Sequence, residues 1–409
     1  MSVRKAAASD GPYSLPEGWR WVTLGEVAEI NPKGAKPADD DDVSFVGMAQ
    51  LDADTATATP LETRSFAEVS SGYTVFRNRD ILAAKITPCW ENGKVGQAEL
   101  DHEVGVGSTE FHVIRPGNEL HTRYALHFLR LPDVRATGEL RMTGSAGQRR
   151  VPTKYFTDLQ IPLPPLSEQR WIAEILDGVS TAIEAATLSI DSLADLASRE
   201  YNIRFGQDPM VSFVEDISEE GKNRIRTGPF GSQLKKEEYS HSGISVLGLD
   251  NVVGNEFSWG KRRYIPEEKY ESLKRYTVRP GDVLISIMAT TGRCVVVPEG
   301  IPTSINTKHI CAITVDQEKV IPEFLRATFL WNPSARSYLN RQTKGAIMSG
   351  LNMSIVKNMP VPVPSIGRQE EFVKFCRRID IVAGYLKSRY SFLGELLNSL
   401  QSRAFRGEL

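Results

Sequence analysis

The chain has 409 residues, 41% of them hydrophobic and 24% charged, with a formal net charge of −2. That length allows two or three domains with cores of their own, and the composition lacks both the apolar run of about 18 residues that a membrane span needs and the polar bias of a disordered chain. Near-neutral charge argues against a protein that coats nucleic acid nonspecifically, since such binding rests on releasing counterions from many phosphates, but it leaves room for local basic faces.

The first residues, Met1 to Asp10, have no apolar core of a secretion signal, and a cytoplasmic location is expected. Residues 1–13 read as a flexible tail. The segment 14–164 reads as mixed α and β, with short β-branched runs at Val43 to Val46, Ile81 to Ala84 and Phe111 to Ile114 and a helix near its end at Arg123 to Leu131. Pro164 and Pro165 stop the upstream element, Ser167 is placed to cap a helix, and Glu168 falls near the positive end of its dipole. That helix occupies 165–206 and is ended by Gly206 and Pro209, and its roughly 30 regular residues would measure about 45 Å. A second globular segment, 207–363, has runs at Val283 to Ile287, Cys294 to Val297 and His309 to Val315 and a helix at Glu323 to Trp331, and a second long helix fills 364–409.

These segments are copies of one unit. Ile161 to Gln169 (IPLPPLSEQ) returns as Val361 to Gln369 (VPVPSIGRQ) at a spacing of 200 residues, and the register holds without a gap from about 141 to 206. Arg141/Arg341, Thr143/Thr343, Pro162/Pro362, Gln169/Gln369, Leu193/Leu393 and Phe205/Phe405 are identical across it. Upstream the similarity drifts, with Phe76 to Leu82 resembling Val278 to Leu284 at a spacing of 202. A duplicated unit has a pseudo-twofold, the symmetry of a DNA duplex and of many proteins that read it.

Each long helix carries an apolar seam with steps of four and three. The first runs Ile172, Leu176, Val179, Ile183, Ala186, Ile190, Leu193, Ala197, and the second Phe372, Cys376, Ile379, Ala383, Leu386, Tyr390, Leu393, Leu397, Leu400. This is the a/d pattern of a coiled coil, and the shared phase favours packing of the two helices on each other over two separate amphipathic helices.

Cys89, Cys294, Cys311 and Cys376 stand far apart with no histidine at ligand spacing, and the six histidines form no metal or nucleophile pattern, so no metal or catalytic residue is assigned. The aspartates Asp39 to Asp42 read as a solvated loop that would repel phosphate, with metal binding as the lesser alternative. No Gly-x-x-x-x-Gly-Lys-Ser/Thr phosphate loop occurs, and the Asn/Asp-Pro-Pro-aromatic motif of amino-methyltransferases is absent, Asn31-Pro32-Lys33 and Asn332-Pro333-Ser334 being the nearest approaches.

Leu15 to Trp19 (LPEGW), Val22 to Val27 (VTLGEV), Thr227 to Leu234 (TGPFGSQL) and Ile161 to Arg170 leading into Ile172 to Asp177 (IAEILD) together resemble the specificity (S) subunits of type I restriction-modification systems. The resemblance covers almost the whole chain beyond the first dozen residues, and departs in the second linker, where Ser365 to Arg368 stands in place of Pro165 to Glu168. It implies an α+β fold class: two globular mixed α/β target recognition domains joined by two long helices packed as an antiparallel coiled coil. It implies that each globular part reads half of a split DNA sequence, that the chain has no catalytic activity of its own, and that it recruits two methyltransferase subunits, which restriction subunits can join. S-adenosylmethionine is then expected on those partners and no cofactor on this chain.

Base reading needs Arg, Lys, Asn or Gln on loops among phosphate contacts. The candidates in the first copy are Lys85, Thr87, Trp90, Asn92, Lys94, Gln148, Arg149, Arg150 and Lys154. In the second they are Thr227, Phe230, Ser232, Gln233, Lys235, Thr291, Arg293, Lys308, Lys344 and Asn352. Two stretches free of acids, Leu140 to Thr157 and Phe324 to Gln369, form positive patches at corresponding places, the second with Arg326, Arg336, Arg341, Lys344, Lys357 and Arg368. Trp90 has two readings, a stacking wedge or a core residue, of which the core is the commoner, and Gly228 to Gly231 reads equally as a tight turn or a phosphate loop. The competing class is a coiled-coil scaffold with two degenerate repeats and no DNA binding.

Overall fold

A computed structural model describes residues 11–33, 37–145, 147–344 and 350–409. It divides into two compact units, the first formed by the chain up to Leu188 together with Lys387–Leu409 and the second by Ser189–Leu386. Each unit thus takes part of both long helices.

In the first unit the chain runs β1 (Arg20–Thr23), α1 (Leu24–Val27), β2 (Ala28–Ile30), β3 (Asp42–Val46), β4 (Thr57–Ala58), β5 (Glu62–Ser65), α2 (Phe66–Val69), β6 (Thr74–Arg77), β7 (Ile81–Ala84), β8 (Val95–Ala98), β9 (Val104–Gly107) and β10 (Phe111–Pro116). Helices α3 (Thr122–Leu129), α4 (Pro132–Leu140) and α5 (Thr153–Asp158), strand β11 (Gln160–Leu163) and the long α6 (Leu166–Phe205) follow. One sheet has the order β2-β10-β7-β8-β4, another β5-β3-β9-β6, and β1 pairs with β11.

The second unit repeats this plan. It contains β12 (Ser212–Phe213), β13 (Ile225–Thr227), β14 (Ile244–Leu247), β15 (Tyr264–Ile265), α7 (Glu267–Leu273), β16 (Thr277–Val278), β17 (Val283–Ser286), β18 (Cys294–Val296), β19 (Ser304–Asn306) and β20 (Ile310–Ile313). Helices α8 (Pro322–Trp331), α9 (Pro333–Lys344) and α10 (Met353–Lys357), strand β21 (Pro360–Val361) and α11 (Ile366–Ala404) complete it. Its sheets are β13-β20-β17-β18, β15-β14-β19-β16 and β12-β21. The orders match apart from β4, which pairs parallel with β8 at one edge of the first unit's main sheet and has no counterpart in the second, and both units share a parallel pair, β3 with β9 and β14 with β19. The duplication extends through the globular parts, where sequence similarity drifts.

Burial explains why some strands are legible as continuous apolar runs. In β7, Ile81 and Ala83 join the core beneath the helices while Leu82 and Ala84 join the core between the sheets. In β17, Val283 and Ile285 face the helices and Leu284 the opposite side. A strand covered on both faces has no polar alternation to show.

The upstream motif that survives the drift is structural. Asp80 Oδ2 accepts the Arg77 amide at 2.7 Å and pairs with Arg115, and Asp282 Oδ2 accepts the Arg279 amide at 2.7 Å and pairs with Arg226. Both turns need a residue at positive φ just before the aspartate, Arg79 at +72° and Gly281 at +80°.

Helix α6 has 40 residues and α11 has 39, so each spans about 60 Å rather than the 45 Å expected. The heptad steps stop near Ala197, but Tyr201 and Phe205 continue the helix by packing into the second unit's core with Phe324 and Phe372. The seam residues Ile172, Leu176, Ala186, Ala197, Phe372 and Ile379 are buried, whereas Tyr390 is 46% exposed and lies on the rim of a cleft with Leu397. Helix α6 begins at Leu166, so Ser167 lies inside its first turn and does not cap it; the Glu168 and Gln169 amides are satisfied by Pro165 O. No described helix is long and apolar enough to cross a membrane.

Candidate nucleic-acid interface

In both units the candidate loops gather at one end of the main sheet. In the first, Phe111 pairs with Ala84 and Ala83 with Val95, so the β7–β8 loop (Lys85 to Lys94) and the loop entering β10 leave the same edge. Two later loops join them. The Val151 amide donates to Lys85 O at 2.8 Å, the Thr87 amide to Arg149 O at 3.0 Å, and Thr87 Oγ1 to Gly147 O at 2.7 Å. This brings Lys85, Thr87, Asn92, Gln148, Arg149 and Arg150 together, with Lys154 exposed on the neighbouring α5.

The second unit closes its loops by the same bonds. The Leu351 amide donates to Ile287 O at 2.7 Å, and Met288 bridges to Gly350 as Ile86 bridges to Arg150. Thr227 pairs with Cys311 and Ser286 with Ile310, so Thr227, Lys308 and the β17–β18 loop with Thr291 and Arg293 share one edge. A Cβ on Gly228 would lie 2.0 Å from Asn306 O. That close approach, and φ of +56° at Gly231, give Gly228 to Gly231 the geometry of a tight turn. Beside the β17–β18 loop, Thr290, Thr291, Arg293, Arg326, Arg336 and Asn340 line an open cleft of about 600 Å³.

Several candidates have structural roles instead. Trp90 is 1% exposed, donates from Nε1 to Arg135 O at 2.9 Å and packs edge-on against Tyr155 and Phe156, so it is a core residue and not a wedge. Lys94 Nζ donates to Met48 O at 2.8 Å. Gln233 Oε1 accepts from the Phe230 amide and from Tyr276 OH, and Asn352 Oδ1 caps α10 by accepting the Ile355 amide at 2.9 Å. Phe230, Ser232 and Lys235 are exposed around this turn, and Lys344 ends α9 with its side chain outside the described residues.

The acid-free stretches are not free of acids in space. Arg150 forms a double hydrogen bond with Glu110, and Arg149 lies 3.7 Å from Glu91 and 3.9 Å from Glu139. The Arg150 hydrogen bonds hold the Glu110 carboxyl below its ordinary range despite partial burial. Arg326 donates to Asn255 O, Lys357 pairs with Glu215 at 2.8 Å and Arg368 with Asp208 at 2.9 Å. Arg293 and Lys308 are exposed at the sheet edge. In the aspartate run, Asp41 Oδ2 accepts the Ala38 amide, an ordinary exposed turn.

Sequence reasoning passed over two residues at these edges. Lys33 follows β2 where the Asn31 amide bonds Val113 O, and His309 precedes β20, where burial and the neighbouring Lys308 push its imidazole below its usual range. The signal for Lys33 was its place just after a strand that pairs beside β7's neighbour, a pairing no local pattern reveals.

Each unit also holds a joint between its linker, its long helix and the turn entering α3 or α8. Gln169 Nε2 donates to Glu119 O and to Pro164 O, both at 2.9 Å, and its Oε1 accepts the His121 amide at 2.7 Å. Beside it, Trp19 of the LPEGW motif donates to Glu168 Oε2 at 3.1 Å. In the second unit Gln369 makes the same three bonds with Lys319 O, Pro364 O and the Ile321 amide.

Two units of closely matching topology, each tied to a long helix by the same glutamine bonds and presenting loops at one sheet edge, make this a duplicated module. The model of the type I restriction modification DNA specificity domain matches residues 16–190 and 234–383, and the chain belongs to that family. It is 45% identical over 167 residues to the type I restriction enzyme EcoEI specificity subunit of Escherichia coli and 44% over 163 residues to the EcoAI specificity subunit, in matches covering 40% and 39% of this chain. The chain spans 28% of the length of each of those two relatives. The MjaVIII specificity subunit of Methanocaldococcus jannaschii is 21% identical over 90% of this chain and 87% of its own. The fold is also that of the type I restriction-modification S subunit from M. genitalium, with a TM-score of 0.55 at 16% identity over 95% of this chain and 96% of that one.

Proposed function

We propose that this chain reads a bipartite DNA sequence, one half-site per unit, and carries no catalysis of its own. The observation that carries the reading is the shared loop closure, Val151 to Lys85 in one unit and Leu351 to Ile287 in the other, which holds basic and amide side chains at one sheet edge in each. Loops fixed on a rigid sheet can set Arg, Lys and Gln against base edges while neighbouring groups meet phosphates. Methylation of adenine would come from two recruited methyltransferase subunits carrying S-adenosylmethionine, with restriction subunits joining them, in the cytoplasm where that DNA lies.

The test is methylated-adenine mapping in cells carrying the chain with its modification subunits. Substitution of Arg149 and Gln148 is expected to alter or relax one half of the target only, and substitution of Thr291 and Arg293 the other half only. A target that ignores both sets, or a reconstituted complex that binds no duplex, would leave the scaffold reading.

A further inference from the structure

The two joints are built alike but carry opposite charge. In the first unit, Arg123 on α3 grips Asp177 on α6 through Nε at 3.0 Å and NH2 at 2.6 Å, and His127 Nε2 meets the same carboxylate at 2.7 Å. Two hundred residues on, Glu323 on α8 takes the place of Arg123 and Arg377 on α11 that of Asp177, paired at 2.6 Å with the signs exchanged. The third member, His127, is matched by Ala327. The exchange runs along the first turns of both helices: Glu168 stands against Arg368, Arg170 against Glu370, and Glu174 against Lys374.

The rest of the joint is kept. Gln169 and Gln369 make the same bonds, and Phe405 packs on Tyr124 as Phe205 packs on Phe324. The glutamine bonds and the aromatic packing therefore do not tell one helix start from the other. A duplicated chain with two identical sockets would let a helix start settle in the wrong globular half, or in that of a second copy, and such exchange is the usual route to swapped dimers.

We propose that the reversed ion pairs are an address that seats each long helix start on its own kind of globular half and rejects the other kind, whether that lies in the same chain or in a second copy. In a wrong seating Asp177 would face Glu323, and Arg377 would face Arg123 beside His127. Like charges at a contact that is partly buried in the first joint and exposed in the second discriminate by repulsion, a form of specificity that attraction at the correct site cannot supply alone. The inference stands on the two joints and not on DNA reading.

The test uses the full-length chain, unfolded in urea and refolded at high concentration, with the dimer share read by light scattering after size exclusion. D177R is expected to lower the melting temperature by about 3 °C by opposing Arg123. The triple variant R123E/H127A/D177R gives the first joint the sign of the second; it should regain the melting temperature yet refold with a several-fold larger dimer share. Adding E323R and R377D reverses both joints, restores two distinct addresses and should return the dimer share to that of the unsubstituted chain. A triple variant no more dimeric than the unsubstituted chain, or a fully reversed variant that stays as dimeric as the triple, would overturn the proposal.

Discussion

Gln169 and Gln369 are each fully buried, and each donates to the carbonyl five residues before it and to the one fifty residues before it. One side chain in each unit thus ties the Pro-x-Pro linker, the start of the long helix and the turn entering α3 or α8. Replacing either amide with Leu leaves two carbonyls and one backbone amide buried without partners. At roughly 1–3 kcal/mol for a buried group left unsatisfied, Gln169→Leu should cost about 3 kcal/mol, and Gln369→Leu a similar amount. Urea unfolding of each variant measures it, and a loss below 1 kcal/mol would show that water replaces the amide.

Asp177 gives the first joint a titrating carboxylate where the second has Arg377. Burial would raise its carboxyl, but the hydrogen bonds from His127 and Arg123 outweigh burial and hold it at about 2. Its folded value lies below its unfolded value, so its contribution is complete above about pH 4 and is lost as pH falls toward 2. His127 is lowered by burial, against the pull of Asp177, so the stability tied to its neutral form is lost as pH falls below its ordinary 6.5. Asp177→Asn should remove about 1–2 kcal/mol at pH 7, after allowing for partial exposure, and much less at pH 3. Thermal unfolding followed across pH 3–8 checks the sign.

Arg149 and Arg150 are adjacent but should behave differently. Among the described residues Arg149 has two loose acid neighbours, so Arg149→Ala is expected to weaken duplex binding by the reconstituted complex about tenfold with little change in melting temperature. Arg150→Ala also releases Glu110 at the loop edge, and should lower both affinity and stability. Fluorescence anisotropy at two salt concentrations, beside a melting curve for each variant, separates the two effects.

Gly228→Ala places a methyl against Asn306 O with no room to move, since both belong to backbone. The turn must shift, and the expected result is a destabilisation of about 2 kcal/mol together with changed preference in one half of the target only. Methylated-site mapping reads the second effect.

Much of the scaffold was legible because both of its periods are imposed by burial. Ile81 to Ala84 appears as an unbroken apolar run because it is covered on both faces, and Ile172, Leu176 and Ile379 show the helical seam because they are buried. The strand order was not legible, since β3 and β9 pair residues 61 apart in the chain and no local pattern records that choice. The interface was legible only in part. A count of charge along the chain placed Arg150 in an acid-free stretch, but Glu110 arrives from another strand. Trp90 read as either wedge or core, and its partner Arg135 O lies in a helix that sequence reasoning did not place.

Trp90 has a consequence for how the first unit meets its target. Its indole fills the core at the base of the β7–β8 loop, while Thr87 and Lys94 tie the two flanks to Gly147 O and Met48 O. A loop fastened at three points has few conformations to give up on association, so little ordering entropy opposes the encounter. The same stiffness makes the loop intolerant: a sequence that does not fit cannot be accommodated by rearrangement, and discrimination is set by the fold before any target arrives.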